Sequence, residues 1–230
     1  MDFNKFEEKA EVNFRDKTLL KQAFTHRSYI NENRALSLEH NERLEFLGDA
    51  VLELVITDHL YRGMKEASEG EMTTLRSALV NAETCAKVAQ VLGVNDYLLL
   101  SKGEAKDIGR ARLYILANTL EALIGAIYLD QNYEAAKDFI MKHITPLLEI
   151  IVRDGKWIDA KSLFQEKAQE ALGHTPVYKT IRESGPDHDK HFTVAVSVGS
   201  VVMGEGDGKS KQDAEQAAAK NALEAKGWSR

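Results

Sequence analysis

Residues 40–52 read His-Asn-Glu-Arg-Leu-Glu-Phe-Leu-Gly-Asp-Ala-Val-Leu, and three carboxylates in this run stand out. Glu42, Glu45 and Asp49 are spaced three and four apart inside an apolar-periodic stretch. On a helix turning about 100° per residue they fall within roughly 60° of one another. Leu44, Phe46, Leu47, Val51 and Leu52 point elsewhere, into packing. Unpaired buried carboxylates are costly. A bound divalent cation removes that cost, and carboxylate oxygen is the ligand that hard Mg2+ prefers.

A second run, from Ile115 to Tyr128, is apolar nearly all round, so a buried helix is expected there. Its polar residues Asn118 and Glu121 lie three apart and share a face. Two core helices that each present oxygen ligands from one face could close a metal site between them. Sites of that kind activate water for phosphodiester cleavage.

These helices need a scaffold, and the first 152 residues supply a helical one. Pro146 is the only proline among them, and apolar residues recur at three and four. The periodicity predicts helices over Lys17–Thr25, Glu45–Tyr61, Thr73–Leu92, Ile115–Tyr128 and Tyr133–Val152. The polar stretch from Ser101 to Arg112 reads as a mobile connection. After Val152 the pattern changes. Residues 153–158 form a short, mostly polar linker, and Asp159 is placed to cap a helix over Ala160–Leu172 that Gly173 ends. Val177–Arg182 and Phe192–Val198 alternate as half-buried strands do, and a short third strand follows the turn at Gly199. Ser210–Ala225 is an Ala-rich helix. The expected fold is therefore an all-α domain over 1–152, a linker over 153–158 and a small α+β domain of α-β-β-β-α order over 159–227.

The totals limit the possibilities. The chain has 230 residues, of which 43% are apolar. It shows no run read as crossing a bilayer and no signal-peptide pattern, so no membrane partner is expected. Cys85 is the only cysteine, which excludes an internal disulfide and a cysteine-based zinc site. A reducing cytoplasm is the simplest setting. A small buried residue is the better reading of Cys85 than a nucleophile, because no His lies nearby in sequence to activate it. The chain carries 30 Lys and Arg against 36 Asp and Glu. Residues 158–230 carry 10 against 11, leaving 20 against 25 in residues 1–157. The acidic excess therefore lies with the proposed metal site, and contact with a polyanion must use local basic clusters.

In the second domain a Gly-rich stretch, Gly204 to Gly208, precedes Lys209, Ser210 and Lys211 at a helix start. Ser210 is placed to cap, with Asp213 three residues on in a capping-box-like position. The helix start reads equally as a phosphate site or as a capped helix with two solvated lysines. The start at Pro176, the Gly185-Pro186-Asp-His188 loop, Phe192, the Gly-rich turn and the Ser210-Lys211-Gln212-Asp-Ala214-Glu215 run resemble a double-stranded RNA-binding domain. Such domains read A-form shape, 2′-hydroxyls and phosphates. The resemblance implies that Gln165 and Glu166 face one minor groove and that His188 reaches the next. It also implies that Lys209, Ser210 and Lys211 clamp phosphates between. Gln212 stands where the family usually has a second basic residue, which implies reduced affinity.

His40 to Leu52 is similar to the signature of ribonuclease III, and Glu69–Asn81 and Ala117–Asp130 resemble that family too. A nuclease domain followed by a double-stranded RNA-binding domain is the bacterial ribonuclease III layout. The resemblance implies Glu45, Asp49, Asn118 and Glu121 as Mg2+ ligands, with Mn2+ able to substitute. Glu42 would sit beside them, steering RNA or a second ion, and Glu69 is an outer candidate. No organic cofactor is implied. The resemblance further implies a homodimer that cuts each strand once, leaving 5′-phosphates, 3′-hydroxyls and short 3′ overhangs, in ribosomal and other RNA processing. Phe46 stands at the position that plugs into the partner subunit, although an ordinary core Phe fits the same pattern.

Asn118 departs from the family, which normally has Asp there. The amide keeps one carbonyl oxygen for a metal and loses the charge. A working variant is the favoured reading, and a duplex-RNA binder that barely cuts is the alternative. A carboxylate-bridged di-iron protein needs Glu-x-x-His pairs, and Glu42 and Glu121 are followed three residues on by Glu45 and Ile124 instead.

Overall fold

The computed structural model describes residues 2–35, 37–154, 160–186 and 190–228. The chain divides into two compact units, residues 1–157 and 158–230.

The first unit is helical. In order it contains α1 (Asn4–Ala10), α2 (Lys17–Ala23), α3 (Arg27–Glu32), α4 (Glu42–Gly63), α5 (Glu69–Val80), α6 (Ala82–Val91), α7 (Arg110–Asp130), α8 (Tyr133–His143) and α9 (Leu147–Asp154). Its core is built on α4 and α7. Leu52, Ile56 and Leu60 from α4 meet Leu116, Leu120, Leu123, Ile124 and Ile127 from α7, all essentially inaccessible to water. Hydrophobic burial of this kind is the main favourable term in folding. Phe6 stacks edge-on against Phe24, with ring centroids 4.9 Å apart, and ties α1 to the end of α2.

The two central helices approach unusually closely. A Cβ on Gly48 would lie 1.7 Å from the carbonyl oxygen of Glu121, and a Cβ on Gly125 would lie 2.2 Å from that of Leu44. Any side chain at either point would strike backbone, so the crossing depends on both glycines. Gly48 sits between Glu45 and Asp49, and Gly125 one turn beyond Glu121, which places the acids beside the crossing.

Several expected boundaries move. The helix expected over Thr73–Leu92 is two helices. Asn81 adopts extended backbone (φ −71°, ψ 160°), and its side chain caps α6 by accepting from the Thr84 N–H. Asn favours caps over helix interiors for that reason. The helix expected over Tyr133–Val152 is also two, parted at residues 144–146, where Pro146 cannot continue the first. Arg153 and Asp154, read as linker, end α9, and residues 155–159 lie outside the described residues. The connection read as mobile up to Arg112 yields to α7 from Arg110. With its full length, α7 is long and apolar enough to cross a bilayer, contrary to the expectation that no run was. Most of its apolar side chains, from Ile115 to Ile127, are buried in this unit.

The second unit contains α10 (Ala160–Leu172), β1 (Val177–Ser184), β2 (His191–Val198), β3 (Val201–Gly208) and α11 (Lys211–Lys226). The strands form one antiparallel sheet in the order β1-β2-β3, with bulges at Ile181 and Met203. Phe164, Ala168, Val194, Val196, Ala214, Ala218, Ala219 and Ala222 form its core. The α-β-β-β-α order and the all-α first unit agree with the expected fold class. The third strand is as long as the others, and the Gly-rich stretch is part of it. A Cβ on Gly206 would lie 2.1 Å from the Ala218 amide nitrogen. Gly206 thus lets an alanine-faced helix lie directly on the sheet, a packing role that its position before a helix start did not reveal.

Candidate active site

The start of α4 is firmly anchored. Asn41, only 2% exposed, accepts no side-chain cap but donates from Nδ2 to the Ala23 carbonyl at 3.0 Å. Its backbone N–H donates to Thr25 O, and its carbonyl accepts from Glu45 N. Thr25 and Leu99 form a short parallel bridge, with His26 N donating to Leu99 O and Leu99 N to Phe24 O. These bonds fix the first turn of α4, and hence Glu42 and Glu45, to the junction between α2 and α3.

From there Glu45 and Asp49 follow on α4, and Asn118 and Glu121 stand on α7 across the glycine crossing. The structure brings all four together. Asn118, on the opposite helix, lies near enough to the Glu45 carboxylate to favour its ionised form. The charges of Asp49 and Glu45 both act on Glu121. Burial first, then the charges of Asp49 and Glu45, push the Glu121 carboxyl up to about 8. Glu45 is also raised, by burial first and by Glu42 next, while the Asn118 amide beside it works against the shift. Burial disfavours the ionised carboxylate and like charges add to it.

This crowding bears on whether a cation suits the site. The donors are three carboxylates and one amide carbonyl, all oxygen, with too much negative charge for a half-buried place. A hard divalent ion fits that donor set and would relieve the charge. Among the described residues, no three His, Cys, Asp or Glu side chains stand close enough to form a ready-made cage. The fit is therefore one of charge and donor type.

Glu42 lies at the edge of the cluster. It pairs with Arg27 at 3.0 Å and lies 3.8 Å from His40 Nδ1. Glu69 heads α5, exposed to solvent, beside the Ser68–Glu71 capping box, with no hydrogen bond or ion pair to the cluster among the described residues. Burial, then the charges of Glu121 and Asp49, push the Cys85 thiol up to about 12, so it is an inert core group. Phe46 is 81% exposed and is not a core residue of this chain.

In the second unit Gln165 and Glu166 are exposed on α10. Ser210 caps α11: its hydroxyl accepts from Asp213 N at 3.1 Å and donates to Asp213 Oδ2 at 2.7 Å. Lys209 is exposed, and Lys211 pairs with Glu183 at 3.1 Å. His188 lies outside the described residues.

Sequence reasoning missed Arg27, Asn41 and the paired glycines. Their visible signals were slight: a Thr-His-Arg-Ser run at a helix start, an Asn one residue ahead of a helix, and single glycines inside helical patterns.

Residues 16–148 match the ribonuclease-III-like family model, and residues 160–226 match the double-stranded RNA binding motif. A helical nuclease unit followed by that motif defines an endonuclease of double-stranded RNA. The ribonuclease 3 of Protochlamydia amoebophila is 47% identical over 219 residues, covering 94% of this chain and 89% of the relative. That of Oceanobacillus iheyensis is 45% identical over 224 residues, covering 97% and 98%. A solved nuclease domain of ribonuclease III from Campylobacter jejuni is 39% identical, with a TM-score of 0.58 over 63% of this chain and 97% of that one. The chain belongs to the ribonuclease III family.

Proposed function

We propose that this endonuclease depends on Mg2+, with Mn2+ able to substitute, and that Glu45, Asp49, Asn118 and Glu121 are the residues that hold the ion. Glu42 steers the substrate at the edge of the site, and Glu69 has an outer role. The observation that carries this reading is the meeting of these four oxygen-bearing side chains where α4 crosses α7. When bound, the cation supplies a more acidic water and positive charge for the leaving oxygen. Glu45, Asp49 and Glu121 orient the attacking water in line with the phosphorus. Glu121, raised by burial and by its acidic neighbours, is the carboxylate whose ionised form a bound cation would favour most. Water adds at phosphorus as the bond to the 3′ oxygen breaks, leaving a 5′-phosphate and a 3′-hydroxyl. In the second unit, Gln165, Glu166, His188, Lys209, Ser210 and Lys211 contact the duplex, reading shape and phosphates. Processing of ribosomal and other RNA in the cytoplasm is the proposed setting.

Asn118 sets the test. At limiting Mg2+, the full chain is expected to cut a labelled RNA duplex slowly, and Asn118→Asp to cut it roughly tenfold faster, because a fourth charge tightens the ion. A wild type that binds the duplex and leaves it whole at any Mg2+ concentration, while Asn118→Asp cuts it, would make this chain a disarmed duplex-RNA binder.

We further propose a homodimer built on the outer face of α4. Phe46, Leu54 and Tyr61 are 81%, 57% and 71% exposed along that helix. Apolar side chains exposed in one row mark an interface more often than free surface. The Campylobacter structure is described as showing flexibility in a region involved in dimer formation. Phe46→Asp is expected to give a monomer by sedimentation, with Tm shifted little for the monomeric fold. A variant that sediments as the wild type does would exclude Phe46 from the interface.

A further inference from the structure

We propose that Arg27 receives a backbone phosphate of the duplex at the edge of the acidic site, held ready for it by Glu42. The inference rests on the duplex-RNA nuclease reading above. Arg27 opens α3, and its guanidinium, 63% exposed, lies 3.0 Å from the Glu42 carboxylate. Its place is fixed by backbone. The flanking His26 is tied to Leu99, Thr25 is tied to Asn41, and the Asn41 side chain is tied to Ala23. The His26 ring caps α3 by accepting from Ser28 N, and the Ser28 hydroxyl accepts from Ser101 N at 3.0 Å. The side chain therefore projects from a frame shared with the first turn of α4, where Glu42 and Glu45 begin the acidic face.

Charge explains why a phosphate belongs there. The nuclease unit carries a net negative charge, and Glu42, Glu45, Asp49 and Glu121 place part of it at the proposed site. A cation at the rim offsets the repulsion that a phosphodiester would meet. An exposed ion pair is worth little, so Glu42 releases Arg27 at small cost. A phosphate takes the guanidinium through two parallel N–H bonds, which are stronger. Glu42 also has a second partner waiting. His40 Nδ1 is buried without a hydrogen bond, 3.8 Å from the other Glu42 oxygen. When Arg27 turns to the RNA, the Glu42 carboxylate can accept from His40.

The test compares the full-length wild type with Arg27→Ala and Arg27→Lys on a labelled RNA duplex. Steady-state kcat and KM are measured in Mg2+, and binding is measured without Mg2+ across a range of KCl concentrations. A phosphate contact made before and during reaction raises KM about tenfold in Arg27→Ala and leaves kcat within about twofold. It also lowers the slope of log binding against log salt by about one. Arg27→Lys recovers the slope but only part of KM, because an ammonium lacks the fork. Tm stays near the wild-type value, since the side chain is 63% exposed and an exposed ion pair contributes little. Wild-type KM and slope in Arg27→Ala would overturn the proposal. So would a lower kcat at unchanged slope, which would show Arg27 acting only through Glu42 on the acids. A wild type that neither binds nor cuts the duplex would instead overturn the nuclease reading itself.

Discussion

Glu121→Gln is expected to abolish cleavage while making the metal-free protein more stable at pH 8. The two effects share one cause. Glu121 is a half-buried carboxyl facing Asp49 and Glu45, and its pKa is pushed from 4.5 to about 8. The folded protein therefore keeps a proton that the unfolded chain releases. In that case stability is fully present below about pH 4.5. It declines as pH rises through the window to about 8, and is flat beyond. Gln carries no charge at any pH and removes the decline. With solvent screening allowed for at this partly exposed group, the gain at pH 8 is about 2 kcal/mol. That corresponds to roughly 5 °C in the melting temperature of the nuclease unit. At pH 4.5 the variant and the wild type should melt together. In the proposed mechanism the same carboxylate holds the ion. Losing it removes several kcal/mol of transition-state stabilisation, or at least about 10³ in rate. Mg2+ should raise the melting temperature of the wild type and leave the variant nearly unmoved, since binding stabilises only the state that binds. Duplex cleavage and thermal melts at the two pH values check this. Equal melting temperatures at pH 8 would mean that Glu121 carries no unpaired charge, and a variant that still cuts would remove it from the site.

This trade-off was partly visible in the sequence. Glu42, Glu45 and Asp49 on one face, and Asn118 with Glu121 on another, were legible because helical spacing alone decides which side chains share a face. The fold class was legible for the same reason, since period 3.6 gives way to period 2 after residue 152. Spacing within a helix says nothing, however, about how two helices meet. The contact of Gly48 with the Glu121 carbonyl joins residues more than seventy positions apart, and an isolated Gly in a helical pattern signals only a modest cost. The break at Asn81 was missed because Leu79, Val80 and Ala82 keep the apolar rhythm across it, whereas the cap depends on one side-chain oxygen. Arg27 was hidden by the same limit, because its partner Glu42 lies beyond an intervening loop. The glycines of the last strand have a role that their position did not reveal. Glycine before a helix start suits a phosphate loop, and only the packing of α11 shows that these glycines also serve close approach.

Gly48→Ala is the substitution expected to do most damage without touching an ionisable group. Its methyl carbon would sit 1.7 Å from the Glu121 carbonyl oxygen, 2.6 Å from the carbonyl carbon and 2.8 Å from Gly125 N. All three are backbone atoms in the middle of a buried helix, so no side-chain rotation relieves the clash, and α4 and α7 must separate. Overpacking of a tight core costs about 1–3 kcal/mol and more where nothing yields. Here at least about 3 kcal/mol is expected, far more than the roughly 1 kcal/mol of helix propensity gained by Ala over Gly. The separation also moves Glu45 and Asp49 away from Asn118 and Glu121. A displacement near 1 Å in such a constellation lowers rate by about 10². Gly63→Ala, at the far end of the same helix, provides the contrast. A Cβ there meets nothing within 4 Å, so it should leave cleavage unchanged and melting equal or slightly higher. Denaturant unfolding and duplex cleavage of the two variants therefore separate a general effect of glycine in α4 from an effect of the crossing. If Gly48→Ala matched Gly63→Ala in both measurements, the acids would not owe their meeting to backbone contact between α4 and α7. If Gly48→Ala lost stability but kept full activity, the site would tolerate a wider crossing than its geometry implies.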